Sequence, residues 1–234
     1  MEQYAGTTAV RCVQISELGA CASGTFVNPT TLITGAHCVR SDKNEPYHVS
    51  VEGRTPAAIY ADESFFDNWT EGRHEVAKDL AVVVFNEPVG NEIGINSYPP
   101  VTSNTAEQGE LVWIFGYGLT DSRDNNSGGK LYRGSNTIKQ VTGGEITLNP
   151  GVHWADTETP GRSAPLPGDS GGALIRAAPL ELIGVTSTSW YYGEEGESSF
   201  VDLTSKASRR LFREAIRCDS DVCAANFPGS GVHE

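Results

Sequence analysis

The sequence is short of positive charge: 17 Lys and Arg stand against 30 Asp and Glu, a formal net charge of −13 over 234 residues. So acidic a surface repels a phosphate backbone and an anionic membrane face, which excludes nucleic acid as a general partner. No apolar run approaches the roughly 18 to 20 residues that cross a bilayer as a helix, so no membrane span is expected. Residues 1–6 (MEQYAG) carry no basic-then-apolar leader. The five cysteines include no CxxC, which removes a zinc ribbon and a thioredoxin-like redox centre. The histidines form no cluster at metal-ligand spacing, and neither metal nor cofactor is expected. There is no internal repeat.

What is present is short β-branched runs punctuated by 26 Gly and 12 Pro, an all-β pattern of sandwich or barrel type. Strands are expected at 24–28, 31–34, 47–52, 80–85, 111–115, 137–141, 145–148, 172–176, 180–188 and 198–202. One segment, 205–217, reads as helix: Ser205 caps it, and Ala207, Leu211 and Ala215 make an apolar stripe widened by Phe212 and Ile216. Its Lys206, Arg209, Arg210, Arg213 and Arg217 face one acid, Glu214. Cations near a helix C-terminus and beside an acidic body suit a docked structural helix. A polar, proline-bearing stretch at 99–107 (PPVTSNTAE) divides the chain into halves 1–105 and 106–204, followed by the helix and a tail, 218–234. The segment 121–130 (DSRDNNSGGK) reads as an exposed loop.

Cys12, Cys21, Cys38, Cys218 and Cys223 are an odd set, best used as two disulfides and a spare thiol. That places the chain in an oxidising compartment, with a leader removed upstream. The other reading is a cytosolic protein with buried thiols.

Three segments carry the chemistry. LITGAHCV (32–39) sets His37 in a turn after a strand, KDLAVVV (78–84) sets Asp79 at the mouth of an apolar strand, and GDSGG (168–172) sets Ser170 in a glycine-rich turn. A serine hydroxyl is a poor nucleophile at neutral pH without a base in hydrogen-bond reach. Histidine, with an unperturbed pKa of about 6.5, can take the proton and return it. A buried carboxylate fixes the imidazole tautomer and stabilises the imidazolium. Small residues around Ser170 let backbone N–H groups converge on a developing oxyanion. A lone histidine is more often a satisfied structural group, and an aspartate before a strand a turn residue; the ordered trio argues against both. His48, His74, His153 and His233 are read as structural, with His153 and Trp154 near the substrate side of the second half.

TGAHC, DLAVV and GDSGG, in this order and at these separations, resemble the catalytic blocks of the chymotrypsin/trypsin-like serine proteases. Gly116-Tyr117-Gly118 is similar to that family's glycine-aromatic-glycine turn. The resemblance implies two packed six-stranded antiparallel β-barrels with a C-terminal α-helix. It implies Ser170 as nucleophile, His37 as general base and acid, Asp79 as orienting carboxylate, and the N–H groups of Gly168 and Ser170 as oxyanion hole. It pairs Cys21 with Cys38, leaving Cys218 and Cys223 to pair locally and Cys12 free. The substrate pocket falls at Ala164, Ser189 and Ser198, with Ser187 beside the substrate backbone. A small neutral pocket suits an uncharged side chain and not Arg or Lys, although Arg162, if turned inward, would favour acidic substrates.

Activation is the main departure. Nothing matches the Ile/Val-Val-Gly-Gly segment whose new amine pairs with the carboxylate beside the nucleophile, here Asp169; Tyr4-Ala5-Gly6-Thr7 is nearest. Cleavage outside this sequence, another cation on Asp169, or a poorly active precursor all remain open. The expectation is a monomeric, secreted or periplasmic serine endopeptidase acting on protein or peptide. The alternative is a latent or inactive protease-fold binding protein.

Overall fold

The structure, a computed structural model, describes residues 2–3, 9–41, 45–71, 73–152, 162–192 and 195–215. Its first half supplies β1 (Glu2–Gln3), β2 (Val10–Ile15), β3 (Ala20–Asn28), β4 (Thr31–Thr34), β5 (Val49–Ser50), β6 (Ala58–Ala61), α1 (Glu63–Thr70), β7 (Ala81–Val84) and α2 (Val89–Glu92). The second supplies β8 (Leu111–Gly116), β9 (Tyr132–Thr142), β10 (Glu145–Leu148), β11 (Gly151–Val152), β12 (Ala173–Arg176), β13 (Glu181–Tyr192), β14 (Glu195–Asp202) and α3 (Lys206–Ala215).

Two antiparallel sheets result. The first runs β5-β2-β3-β4-β7-β6 and stays an open half-barrel; in the second, β9-β10-β14-β13-β12-β8 closes by the β8–β9 pairing, with β1 added on β9 and β11 on β14. The expected all-β fold of two six-stranded units with a C-terminal helix is thus present, with hydrogen-bonded closure in the second unit alone.

Strand alternation explains how the units pack. Phe26, Leu32 and Val83 fill the first sheet's interior, and Val112, Ile114, Ile146 and Phe200 fill the closed barrel. The opposite faces meet each other: Val27, Ile33 and Val82 pack against Ala173, Ile175, Val185 and Val201. β4 (TLIT) and β12 (ALIR) are therefore buried at every residue, and read as unbroken apolar runs because each lies between two cores.

α3 follows the expected pattern. Ser205 Oγ accepts from Ser208 N at 3.1 Å, and Leu211 and Phe212 enter the core between the sheets. Among the described residues no helix is long and apolar enough to cross a membrane. α1 was not legible, because ESFFDNWT has no clean helical stripe. Asp62 Oδ1 caps it through Ser64 N at 3.0 Å, and Phe65 and Phe66 pack on Ala36, next to His37. β2 and β6 were also missed, and β9, β13 and β14 run past the expected ends.

The missed β2 matters for the cysteines. β2 and β3 form a hairpin in which Cys12 faces Ser23 and Gln14 faces Cys21, so the disulfide joins Cys12 to Cys21, with Cα atoms 5.6 Å apart. The Cys21–Cys38 pairing is corrected: Cys38 is a buried free thiol and Cys12 is not spare. Cys218 and Cys223 lie outside the described residues. Peptide mapping without reduction should recover Cys12 linked to Cys21, and Cys38 should accept an alkylating reagent only after unfolding. A Cys21–Cys38 peptide would refute this connectivity.

Candidate active site

The β4–β7 pairing sets Thr34 opposite Ala81, which brings the turn after β4 beside the turn before β7. His37 occupies the first turn and Asp79 the second. Asp79 is 1% exposed. Its Oδ1 accepts from His37 N at 3.0 Å, and its Oδ2 accepts from His37 Nδ1 at 2.7 Å and from Ser187 Oγ at 2.5 Å. Burial pushes the Asp79 carboxyl up, but the His37 charge and these hydrogen bonds outweigh it and hold it below the usual 3.8. For His37, burial works against the imidazolium, yet the Asp79 charge and hydrogen bond prevail and lift it well above 6.5. Nδ1 is committed to the carboxylate, and Nε2 is the ring nitrogen that could exchange a proton with a neighbour. The Cys38 sulfur lies 3.6 Å from Nε2, and Trp69 of α1 stands edge-on to the imidazole at 5.9 Å. A cavity of about 100 Å³ opens there, lined by His37, Trp69, His74, Val76, Ser187 and Thr188.

The Ser170 turn comes from the other sheet and meets this site through glycine. A Cβ on Gly171 (φ +79°) would sit 2.1 Å from Thr34 Oγ1 and 2.9 Å from Gly35 N, so a side chain there would push the turn off the His37 strand. Within the turn, the N–H groups of Asp169, Gly171 and Gly172 donate to Leu166, Thr186 and Asp169 carbonyls. Those of Gly168 and Ser170 donate to no group among the described residues. Leu119 N holds the Pro167 carbonyl at 2.9 Å, which turns the Gly168 N–H the opposite way. Two such N–H groups, that of Ser170 itself and that of the residue two before it, can receive a developing oxyanion.

Asp169 is 3% exposed; its Oδ1 accepts from Gly118 N at 2.9 Å and its Oδ2 from Leu166 N at 2.8 Å. A Cβ on Gly116 would lie 2.2 Å from Asp169 Oδ1, which accounts for glycine in the 116–118 turn. The expected pocket residues divide. Ser189 and Ser198 face each other across β13 and β14, and Ala164 is wholly buried. The Ser198 hydroxyl is buried without a partner among the described residues. The Ser187 hydroxyl is instead turned onto Asp79. Arg162 is directed at the Pro150 carbonyl, with Nε and Nη2 both at 3.3 Å. His48 pairs with Glu17 on the surface, whose carboxyl is lowered by that hydrogen bond. His153, Trp154 and His233 lie outside the described residues. Sequence reasoning missed Trp69, hidden in the unread α1, and Ser23, which no motif marks.

These shifts fix the signs for pH. The His37–Asp79 pair contributes stability fully below the unfolded histidine pKa, and this is lost as pH rises through the raised folded value; the Asp79 share is lost as pH falls through its lowered value. Titrating His37 by NMR should give a midpoint above 6.5, and Asp79→Asn should move it down. An unmoved midpoint would mean that Asp79 does not hold the imidazolium.

The family model described as Trypsin matches residues 5–207. Cercarial protease of Schistosoma mansoni is 26% identical over 192 residues, covering 70% of this chain and 69% of its own. A structure of Glu endopeptidase in complex with MPD superposes with TM-score 0.67 at 15% identity, over 92% of this chain and 95% of that one. Protease Anisep from Arthrobacter nicotinovorans gives 0.63 at 18%, over 91% and 97%. Neuropsin from mouse brain, a serine protease, gives 0.61 at 15%, over 85% and 91%. At such identities the structural likeness speaks for the fold, whereas the family model spans most of the sequence: the chain belongs to the trypsin family of serine proteases.

Proposed function

We propose that the chain is a serine endopeptidase that cleaves by an acyl-enzyme route, with Ser170 as nucleophile, His37 as base and acid, and Asp79 as orienting carboxylate. The observation that carries this reading is the buried Asp79 carboxylate holding Nδ1 of His37 at 2.7 Å. Beside that pair, the turn leaves the Gly168 and Ser170 N–H groups without acceptors among the described residues. His37 Nε2 takes the Ser170 proton as Oγ adds to the scissile carbonyl. The two N–H groups receive the oxyanion, and the proton passes to the leaving amine. Water then repeats the sequence on the acyl-enzyme. The unpaired N–H groups favour an organised catalyst over the inactive binding-protein reading.

The residue before the cut is uncharged in this proposal. Ala164 offers no carboxylate to an Arg or Lys side chain, the Ser198 hydroxyl is buried without a partner among the described residues, and Arg162 is engaged by the Pro150 carbonyl. The Cys12–Cys21 disulfide suits a secreted or periplasmic protein, and a monomer acting on protein or peptide is proposed with it.

A fluorophosphonate probe should label folded protein at Ser170. Ser170→Ala should abolish labelling and peptide turnover while changing stability by less than about 1 kcal/mol. Absence of labelling in folded protein would transfer the reading to the binding-protein alternative. A peptide library should show cleavage after uncharged residues; dominant cleavage after Arg or Lys, or after Asp or Glu, would refute the pocket assignment.

A further inference from the structure

We infer that Ser23 is a positioning residue for the oxyanion turn, a hydroxyl of the first sheet that fixes the Gly168–Asp169 peptide of the second, the link between the peptides that carry the Gly168 and Ser170 N–H groups. This rests on the peptidase reading above.

Ser23 lies on β3, wholly buried, and both its N–H and its hydroxyl serve the junction of the two sheets. Its N–H donates to the Ser170 carbonyl at 2.8 Å. Its Oγ donates to the Gly168 carbonyl at 2.8 Å and accepts from Tyr117 N at 2.8 Å. Its carbonyl accepts from Thr34 Oγ1 at 2.7 Å, on the strand that leads to His37.

Along the nucleophile turn, each carbonyl from 167 to 170 thus has a donor: Leu119 N on Pro167, Ser23 Oγ on Gly168, Gly172 N on Asp169 and Ser23 N on Ser170. These bonds leave the Gly168 and Ser170 N–H groups over for the oxyanion. The Gly168 carbonyl is the one held by a side chain, and it belongs to a glycine at φ +94°, the residue type whose backbone rotates most freely. The same Oγ binds Tyr117 N, and the next residue, Gly118, donates to Asp169 Oδ1, so one hydroxyl ties the glycine turn to the nucleophile turn. Ser23 meets no reacting atom; its effect passes through Gly168.

The test is Ser23→Ala in the full chain, assayed on a peptide amide and on a peptide boronic acid, whose adduct with a serine nucleophile directs an oxygen at the oxyanion site. The kcat should fall about tenfold to a hundredfold, less than the 10²–10³ that deleting an oxyanion donor costs. KM should stay within about twofold, since a donor used only in the transition state leaves ground-state binding alone. Boronate affinity should fall in parallel with kcat, and the acid limb of the pH profile should stay in place because His37 and Asp79 are untouched. Ser23→Thr, which keeps the hydroxyl, should restore kcat. If Ser23→Ala does not fold, Ser23→Cys, similar in size with a much weaker donor, carries the same expectation. An unchanged kcat with a lowered melting temperature would make Ser23 purely structural and overturn the inference, as would a shifted acid limb. A wild-type chain that neither labels nor turns over peptide would overturn the peptidase reading, and this one with it.

Discussion

A carboxylate taken out of water must be given its hydrogen bonds back, and that constraint at Asp79 organises the site. Two of its donors, the backbone N–H and Nδ1 of His37, come from the first sheet. The third, Ser187 Oγ, comes from β13 of the second. The charge is satisfied only when the sheets are packed together, so the orientation of His37 depends on the assembly of the two units. The same carboxylate holds His37 above its ordinary pKa against the opposing effect of burial.

The second junction is made of backbone. The Ser170 turn sits on the His37 strand because Gly171 has no side chain to collide with Thr34 and Gly35, and its carbonyls are drawn onto donors from both sheets. Asp169 contributes from beneath, its oxygens accepting from Gly118 and Leu166 N–H groups. Gly116 and Gly118 let the chain come that close; at either, a Cβ would lie inside van der Waals distance of Asp169. The Ser170 turn is thus a crossing of glycine loops pinned by a few buried polar side chains.

The surroundings of His37 owe much to α1. Phe65 and Phe66 anchor it on Ala36, and Trp69 then meets the His37 ring and walls the adjoining cavity. The hairpin of β2 and β3, with its Cys12–Cys21 bridge, carries Ser23 into the same region. Neither element contains a catalytic-type motif, yet both shape the site.

Local pattern was enough for the all-β class, the terminal helix and the strands around the three blocks. β4 and β10 match their expected bounds because apolar β-branched runs and turn residues act over a few positions. His37, Asp79 and Ser170 stand out as candidates because each lies in a short segment of the residue types that the proposed chemistry calls for. What depends on contacts between distant residues was not. The disulfide partner of Cys21 followed from a hairpin whose first strand gave no clear alternation, and α1 is a helix through the burial of Phe65 and Phe66 more than through propensity. The turning of Ser187 onto Asp79 and the bonds of Ser23 exist only between the sheets, over sequence separations of 108 and 145. The sequence by itself determined which side chains are candidates for the chemistry; the tertiary structure decided which polar groups they share, because satisfying a buried donor or acceptor depends on the whole fold.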